Sequence, residues 1–135
     1  MFIHSTKLRV RYAETDQMGY MYYGNYAQFY EVGRVEMLRS LGMTYKSMEK
    51  SGIIMPVLDL HCKFIKTALY DEEINIKVVL SKMPSVRIHF AYELVNENQE
   101  LINTGETTLV FIDTKRNKPC LPSADFLIKL QHFFD

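Results

Sequence analysis

The sequence predicts an α+β protein in which one antiparallel sheet of about five strands covers a single long helix. Five short segments alternate apolar and polar residues, which is the period of a strand with one buried face. After the first of these segments, residues 25–42 carry apolar side chains at spacings of three and four, as an amphipathic helix does. Short polar turns between strands favour antiparallel pairing, with the helix packed on one face of the sheet.

The first strand and the long helix are joined by a short loop. Charged and apolar residues alternate strictly over residues 7–12, so this segment is expected to be a strand with one face exposed to solvent. A loop over residues 13–22 follows it. Asn25 is a favoured N-cap, and Gln28 lies three positions on, where the partner in a capping box belongs. Gly42 is placed to end the helix.

The rest of the chain is predicted to be mostly strands. A short second helix is expected over residues 45–50, and a terminal helix follows Ser123, a possible N-cap. Polar turns and a proline-containing break separate the strands between these two helices. The four further strands are predicted over residues 58–64, 74–81, 86–94 and 107–112.

Composition limits the function classes. The 135 residues fit one domain, residues 1–135, and 47% of them are hydrophobic, as in globular proteins. Lys and Arg number 16, and so do Asp and Glu, which argues against broad binding to nucleic acid or to a membrane surface. No apolar run approaches the ~18 residues that a membrane span needs.

The compartment is expected to be cytoplasmic. The first twelve residues carry no apolar stretch of the kind that a secretory signal requires. Cys62 and Cys120 lie far apart and form no Cys-x-x-Cys pair, so we expect two reduced thiols.

The sequence excludes several kinds of catalytic site. It contains no Gly-x-Ser-x-Gly elbow, no phosphate-binding glycine loop and no histidines in a metal-ligand spacing, so no metal is expected. What remains is the carboxylate-rich segment before and within the long helix, with Glu14, Asp16 and Glu31.

The residues around Asp16 alone allow two interpretations of its role. It is either a solvated loop or capping residue, or a catalytic carboxylate facing a slot walled by Tyr20, Tyr22 and Tyr23 beside Gly24. In the catalytic reading, the unpaired N–H groups at the helix start polarise a carbonyl oxygen. The carboxylate then acts as a nucleophile or as a general base on water.

A family resemblance favours the catalytic reading. The run Arg-Tyr-x-Glu-Thr-Asp-x-Met-Gly over residues 11–19, then Tyr23-Gly24-Asn25-Tyr26, then Tyr30-Glu31 and Arg34, resembles the signature of the hotdog-fold acyl-CoA thioesterases. More narrowly, it resembles the 4-hydroxybenzoyl-CoA thioesterase branch, which includes the Tol-Pal-associated thioesterases. Weaker likeness continues to residue 113, so it covers nearly the whole chain. The resemblance implies a long central helix wrapped by an antiparallel sheet, and a homodimer or homotetramer with active sites at subunit interfaces.

Carried over by position, the family's catalytic aspartate falls on Asp16. The position seven residues later, usually His in the Tol-Pal-associated members and Tyr in the 4-hydroxybenzoyl-CoA enzyme, is Tyr23. The resemblance implies that the backbone N–H of Tyr23 holds the thioester oxygen. Gly24 and Asn25, beside that N–H, are candidate substrate contacts.

Three cations are candidates for the phosphates of coenzyme A: Lys63, Lys66 and Arg87. The alternative for each is a solvated residue on a strand face. Glu31 and Arg34 lie three apart on the helix and could form an ion pair there or a dimer contact. Tyr12, Tyr26 and Tyr30 are expected to be core residues rather than catalysts.

The predicted function is hydrolysis of an acyl-CoA, or of an acyl carrier protein thioester, to a free acid and a thiol. No cofactor is implied, since coenzyme A is part of the substrate. A dehydratase or hydratase on the same fold is one alternative, but it would use a histidine, and the segment at the helix start has none. A non-catalytic acyl-binding or interaction module is the other. Aromatic, short-chain and long-chain acyl groups all remain open.

Overall fold

The computed structural model describes residues 1–134 and confirms the α+β class, with an antiparallel five-stranded sheet and one long helix. The long strands pair in the order β1-β4-β5-β6-β3, and a small second sheet has the order β2-β7-β8. The strands are β1 (Phe2–Arg9), β2 (Ile53–Ile54), β3 (Val57–Phe64), β4 (Glu73–Leu80), β5 (Arg87–Val95), β6 (Leu101–Val110), β7 (Ile112–Asp113) and β8 (Lys118–Pro119). The helices are α1 (Tyr26–Ser40), α2 (Tyr45–Lys50) and α3 (Ala124–Gln131).

The first strand lies earlier in the chain than its alternation predicts. β1 pairs with β4 from Phe2, opposite Leu80, to Arg9, opposite Glu73. The chain then leaves the ladder and makes a 3-10 turn at Tyr12–Glu14. The Glu14 carboxylate stabilises this turn by accepting a hydrogen bond from the backbone N–H of Arg11 at 2.8 Å. The prediction that the first strand continues to residue 12 is therefore wrong, since β1 ends at Arg9.

β6 begins six residues before its predicted start at residue 107. Its first half breaks the alternation because Asn103 and Gly105 point toward the helix, where a strand usually carries apolar side chains. The amide of Asn103 is fully buried, and it is satisfied by the hydroxyl of Tyr30, the sulfur of Cys62 and the carbonyl of Lys63. Buried polar groups that find partners are tolerated inside a core, although a sequence pattern does not reveal them.

The start of the long helix differs from the predicted capping box. A 3-10 turn at Tyr23–Asn25 precedes α1, and the Asn25 side chain caps no N–H group of the helix. Its Nδ2 instead donates to the backbone carbonyl of Glu14 at 2.8 Å. The end of the helix is as predicted, since Gly42 adopts a φ of +80°, which glycine adopts without strain.

The helix packs closely on the inner face of the sheet. The Tyr30 ring lies parallel to the Tyr92 ring at 4.2 Å and covers the bare backbone of Gly105. Burial raises the pKa of Tyr30, so its hydroxyl stays protonated within a hydrogen-bonded cluster. Tyr26 and Tyr30 are core residues as predicted, whereas the prediction for Tyr12 is wrong, since this side chain is 78% exposed.

We expect Gly105→Ala to destabilise the protein. A Cβ there would overlap the Tyr30 hydroxyl oxygen and the adjacent ring carbon, and the stacked ring has little freedom to move away. Overpacking of this kind costs about 1–3 kcal/mol, which urea denaturation would measure. As a control, the same change in a Tyr30→Leu background should cost much less, because the clashing atoms are gone. Equal costs in both backgrounds would show that the ring is not the cause.

Strand β3 forms one edge of the sheet and carries apolar side chains without cover. Leu60 and Phe64 are 46% and 52% exposed, although they lie on the same face of the strand as Cys62, which contacts the helix residue Tyr30. An unpaired edge lined by apolar residues is a ready surface for another strand. Among residues 1–134, no helix combines the length and the apolar character needed to cross a membrane.

Candidate active site

A cleft of about 240 Å³ opens where the loop before α1 meets the end of β3. Its lining is mostly aromatic and aliphatic, with one carboxylate and one ammonium group. Ligand pockets usually enclose about 300–1,000 Å³, so this cleft is small for a site formed by a single chain. The lining residues are Asp16, Met18, Tyr20, Met21, Tyr23, Tyr26, Phe64, Ile65, Lys66 and Thr67.

Asp16 lies on a tight turn that orients its carboxylate. Its Oδ1 accepts hydrogen bonds from the backbone N–H of Met18 at 2.9 Å and of Tyr20 at 3.4 Å. The backbone of Asp16 closes the same turn, since its N–H donates to the carbonyl of Tyr20 at 2.9 Å. Oδ2 accepts no hydrogen bond from residues 1–134, so one carboxylate oxygen remains available to a reactant.

Glu14 ties the Asp16 loop to the start of α1. The residue is 5% exposed, and its side chain holds the turn at Arg11, while its carbonyl accepts from two groups at the helix start. These are the N–H of Tyr22 and the side-chain amide of Asn25, each at 2.8 Å. We call this set of hydrogen bonds the Glu14 clasp. The clasp fixes the distance between the carboxylate on the loop and the first amides of the helix.

The first two amides of the 3-10 turn are free. The N–H groups of Tyr23 and Gly24 donate to no acceptor in the described part of the chain, whereas the next amide, of Asn25, bonds the carbonyl of Tyr22. Unpaired N–H groups at a helix start carry partial positive charge and suit an oxyanion. Gly24 brings the backbone close to the Tyr22 ring, since a Cβ there would lie 2.6 Å from a ring carbon.

The structure brings together some of the predicted site residues and separates others. Asp16, Tyr23 and Lys66 line the cleft, with Gly24 and Asn25 beside it in the same turn. The Lys66 ammonium forms an ion pair with Glu100, and this pair lowers the pKa of the Glu100 carboxyl. Lys63 and Arg87 lie on the outer face of the sheet, opposite the helix, because each alternates with an inward-facing neighbour. Their contact with coenzyme A stays a prediction.

Glu31 and Arg34 do not form the ion pair that their spacing allows. Glu31 is exposed, whereas Arg34 is 5% exposed and points into the core. Its guanidinium donates to the hydroxyl of Tyr92 at 3.0 Å and of Tyr45 at 3.2 Å. These hydroxyls outweigh the effect of burial and raise the pKa of Arg34, so a buried cation is held by phenols instead of a carboxylate.

The cleft can carry out chemistry on a carbonyl group. Its lining includes a carboxylate, on Asp16, and aromatic side chains, and the turn at Tyr23 and Gly24 beside it holds the two free backbone donors. No histidine lines it among the described residues. The walls contributed by Phe64 and Thr67 were not predicted, because they come from a segment distant in the chain from Asp16 and share no local pattern with it.

Comparison with known proteins adds family evidence. The model of the thioesterase-like superfamily matches residues 10–130. A Bacillus subtilis protein with the provisional name acyl-CoA thioesterase YneP is 32% identical over 88% of this chain and 86% of its own length. The acyl-CoA thioester hydrolase YbgC of Escherichia coli O6:H1 is 28% identical over 83% of this chain and 84% of its own. A solved DHNA-CoA thioesterase from Staphylococcus aureus is 39% identical, with a TM-score of 0.85, over 99% of this chain and 85% of that one.

Proposed function

Because the chain belongs to the thioesterase-like superfamily, we propose that it hydrolyses an acyl-CoA thioester to a free acid and the thiol of coenzyme A. The observation that carries this proposal is a half-free carboxylate on Asp16 in an apolar cleft that Tyr23 also lines, with the amides of Tyr23 and Gly24 unbonded among residues 1–134. Named relatives support the same reaction, since YbgC is an acyl-CoA thioester hydrolase.

The reaction would use the two halves of the cleft together. The N–H groups of Tyr23 and Gly24 hold the thioester oxygen, where negative charge grows as the carbonyl carbon is attacked. Asp16 either attacks that carbon itself, forming an anhydride that water then opens, or takes a proton from the water that attacks. In both routes the carbon–sulfur bond breaks, and the thiolate of coenzyme A leaves and takes up a proton.

The acyl group is proposed to be aromatic. Tyr20, Tyr23, Tyr26 and Phe64 line the cleft, and flat rings pack well against aromatic walls. The Tyr26 and Phe64 rings already meet edge to face at 5.3 Å. The relative of known structure that is 39% identical is a DHNA-CoA thioesterase, which points the same way.

The test is a panel of thioesters read by release of free thiol. DHNA-CoA and benzoyl-CoA should be hydrolysed with a higher kcat/KM than acetyl-CoA and palmitoyl-CoA. A preference for an aliphatic chain would overturn the aromatic assignment and leave the thioesterase in place. An acyl carrier protein thioester belongs in the same panel as the second candidate substrate. If no thioester is cleaved but acyl-CoA binds, the chain is an acyl-binding module instead.

The active unit is proposed to be a homodimer, or a pair of dimers, joined through β3. Its exposed Leu60 and Phe64 would be covered by a second copy, and Phe64 is also a wall of the cleft. Pairing identical edges by a twofold axis is the commonest closed symmetry of oligomers. The small volume of the cleft in one chain agrees with a site that a second copy completes.

Light scattering at micromolar concentration should give at least twice the 15.9 kDa mass of one chain. Leu60→Glu should shift the protein toward the monomer, since it places a carboxylate at the centre of the proposed contact. Ile128→Glu, at an exposed apolar residue on α3, is the control and should keep the wild-type mass. A wild-type mass of one chain would exclude the dimer and with it an active site shared between subunits.

A further inference from the structure

The long helix begins without a side-chain cap. The 3-10 turn Tyr23–Asn25 runs directly into α1, so Tyr22 is the residue that precedes the first helical turn. Ser, Thr, Asp or Asn is usual at this position, because its oxygen accepts from the N–H two or three residues on. Tyr22 makes no such bond with the described residues. The N–H of Gly24, which a capping oxygen could reach, is therefore left free beside that of Tyr23.

This helix start is held from outside the helix instead. The backbone carbonyl of Glu14 accepts from the N–H of Tyr22 and from Nδ2 of Asn25, each at 2.8 Å. These donors lie at the two ends of the turn, and the N–H of Asn25 closes it by bonding the carbonyl of Tyr22 at 2.9 Å. One oxygen of the Asp16 loop thus fixes both ends of the turn, and the two free amides lie between them.

Asn25 supplies the side chain in this arrangement. Of the two groups that donate to the Glu14 carbonyl, the Tyr22 N–H is backbone, so the residue type at position 25 decides whether the second bond forms. Asparagine is a good capping residue, yet Asn25 has the helical angles φ −85° and ψ −11°, and its side chain caps no N–H group of the helix. Among the described residues it lies beside the cleft and is not part of its lining.

We propose that Asn25 is a positioning residue, whose side-chain amide holds the helix start against the Asp16 loop in place of a cap. The amides of Tyr23 and Gly24 are thereby kept ordered and also open to the thioester oxygen. This inference rests on the proposed function and assigns the residue that places its oxyanion donors. A side-chain cap at Tyr22 would stabilise the helix, but it would occupy one of those donors.

Thiol-release kinetics of Asn25→Ala test this role. We expect kcat to fall about 10–100-fold, since a small displacement of catalytic groups has effects of this size. KM should change little, because Asn25 contacts no substrate in this arrangement. In a Tyr23→Pro background the same change should cost less than about threefold, since a donor that is missing cannot be misplaced. Thr114→Val is the matched control and should keep the wild-type kcat, because Thr114 Oγ1 donates to the carbonyl of Gly52 at 3.0 Å and also joins two loops, outside the cleft.

A pair of variants at Tyr22 tests the missing cap. Tyr22→Ser and Tyr22→Ala lose the same ring, so they differ by a hydroxyl oxygen that can accept from the N–H of Gly24. The Tm of the serine variant should be higher by about 4 °C. Its kcat should nevertheless be lower by about tenfold or more, because a capped amide does not reach the substrate. A gain in stability together with a loss in rate separates occupation of the donor from general damage to the fold.

Amide relaxation by NMR tests the positioning without turnover. In the wild type, the amides of Tyr23 and Gly24 should have order parameters of about 0.85, as a rigid backbone does. In Asn25→Ala they should fall below about 0.6, whereas the amide of Tyr30 in the middle of α1 should keep its value. A protein that hydrolyses no thioester still gives this result. Failure of the proposed function is thus separate from failure of this inference.

Four results would overturn the proposal. Two concern Asn25→Ala: an unchanged kcat, or unchanged order parameters at Tyr23 and Gly24. The third is a loss in the Tyr23→Pro background as large as that in the wild type. The fourth is a Tyr22→Ser variant at least as active as Tyr22→Ala. A raised KM with an unchanged kcat in Asn25→Ala would make Asn25 a substrate contact instead.

Discussion

Replacing Asp16 with asparagine is expected to lower kcat on the best acyl-CoA by about 100-fold or more, the usual cost of losing a positioned base. Asparagine keeps the size of the side chain, and its Oδ1 can still accept from the N–H of Met18, so the turn should persist. What disappears is the second carboxylate oxygen, the atom that accepts no hydrogen bond from residues 1–134. The amide that replaces it neither attacks a carbonyl nor takes a proton from water.

Steady-state kinetics by thiol release would measure this effect, with circular dichroism to verify the fold. Glu31→Gln is the matched control, because it also neutralises one carboxylate and lies exposed on α1 outside the cleft. That variant should stay close to wild type. If Asp16→Asn retains more than about a tenth of the wild-type kcat, its carboxylate is neither nucleophile nor general base.

The second large effect is expected at the backbone of Tyr23. Tyr23→Pro removes an N–H group that has no acceptor in the described part of the chain, and one oxyanion donor is worth about 2.7–4 kcal/mol in hydrolases. We therefore expect kcat to fall about 100-fold or more. Proline fits this position, because the first residue of a helical turn tolerates it and Tyr22 already has the extended ψ of 131° that a residue before proline prefers.

Tyr23→Phe is the control for the ring, since it keeps the backbone donor and loses only the hydroxyl. It should stay within about tenfold of the wild-type kcat, well short of the loss expected for a missing donor. Oligomer mass and circular dichroism should be unchanged in both variants. If the phenylalanine variant is the more damaged of the two, the phenol rather than the amide is the donor, and the role assigned to the helix start is wrong.

The sequence predicted the features that local patterns encode. Alternation placed β3, β4 and β5 within one or two residues of their ends, because each buries or presents one continuous face. The motif around Asp16 identified the cleft, because its residues are neighbours in the chain. The alternation in β3 also implies that Lys63 lies on the face opposite Cys62. Lys63 was a candidate for phosphate binding only because its side chain is positively charged.

The features that sequence reasoning missed depend on contacts between distant residues. The first half of β6 was not predicted as a strand, because the polar residue Asn103 is buried there against Tyr30 and the local sequence does not indicate that partner. Asn25 was predicted to cap the helix, and its residue type fits that role as well as it fits the bond to Glu14 that the structure shows. The walls that Phe64 and Thr67 add to the cleft require the fold itself.

The Glu14 clasp has a consequence for the thermodynamics of substrate binding. Two hydrogen bonds to the Glu14 carbonyl hold the loop and the helix start together, and a third braces the turn at Arg11, so the loop has lost its conformational freedom before any substrate arrives. The entropy of ordering the catalytic groups is then part of the free energy of folding, and it is not subtracted again from the free energy of association. Binding energy from the acyl group and from coenzyme A is thereby left to align the thioester with groups that already stand in place.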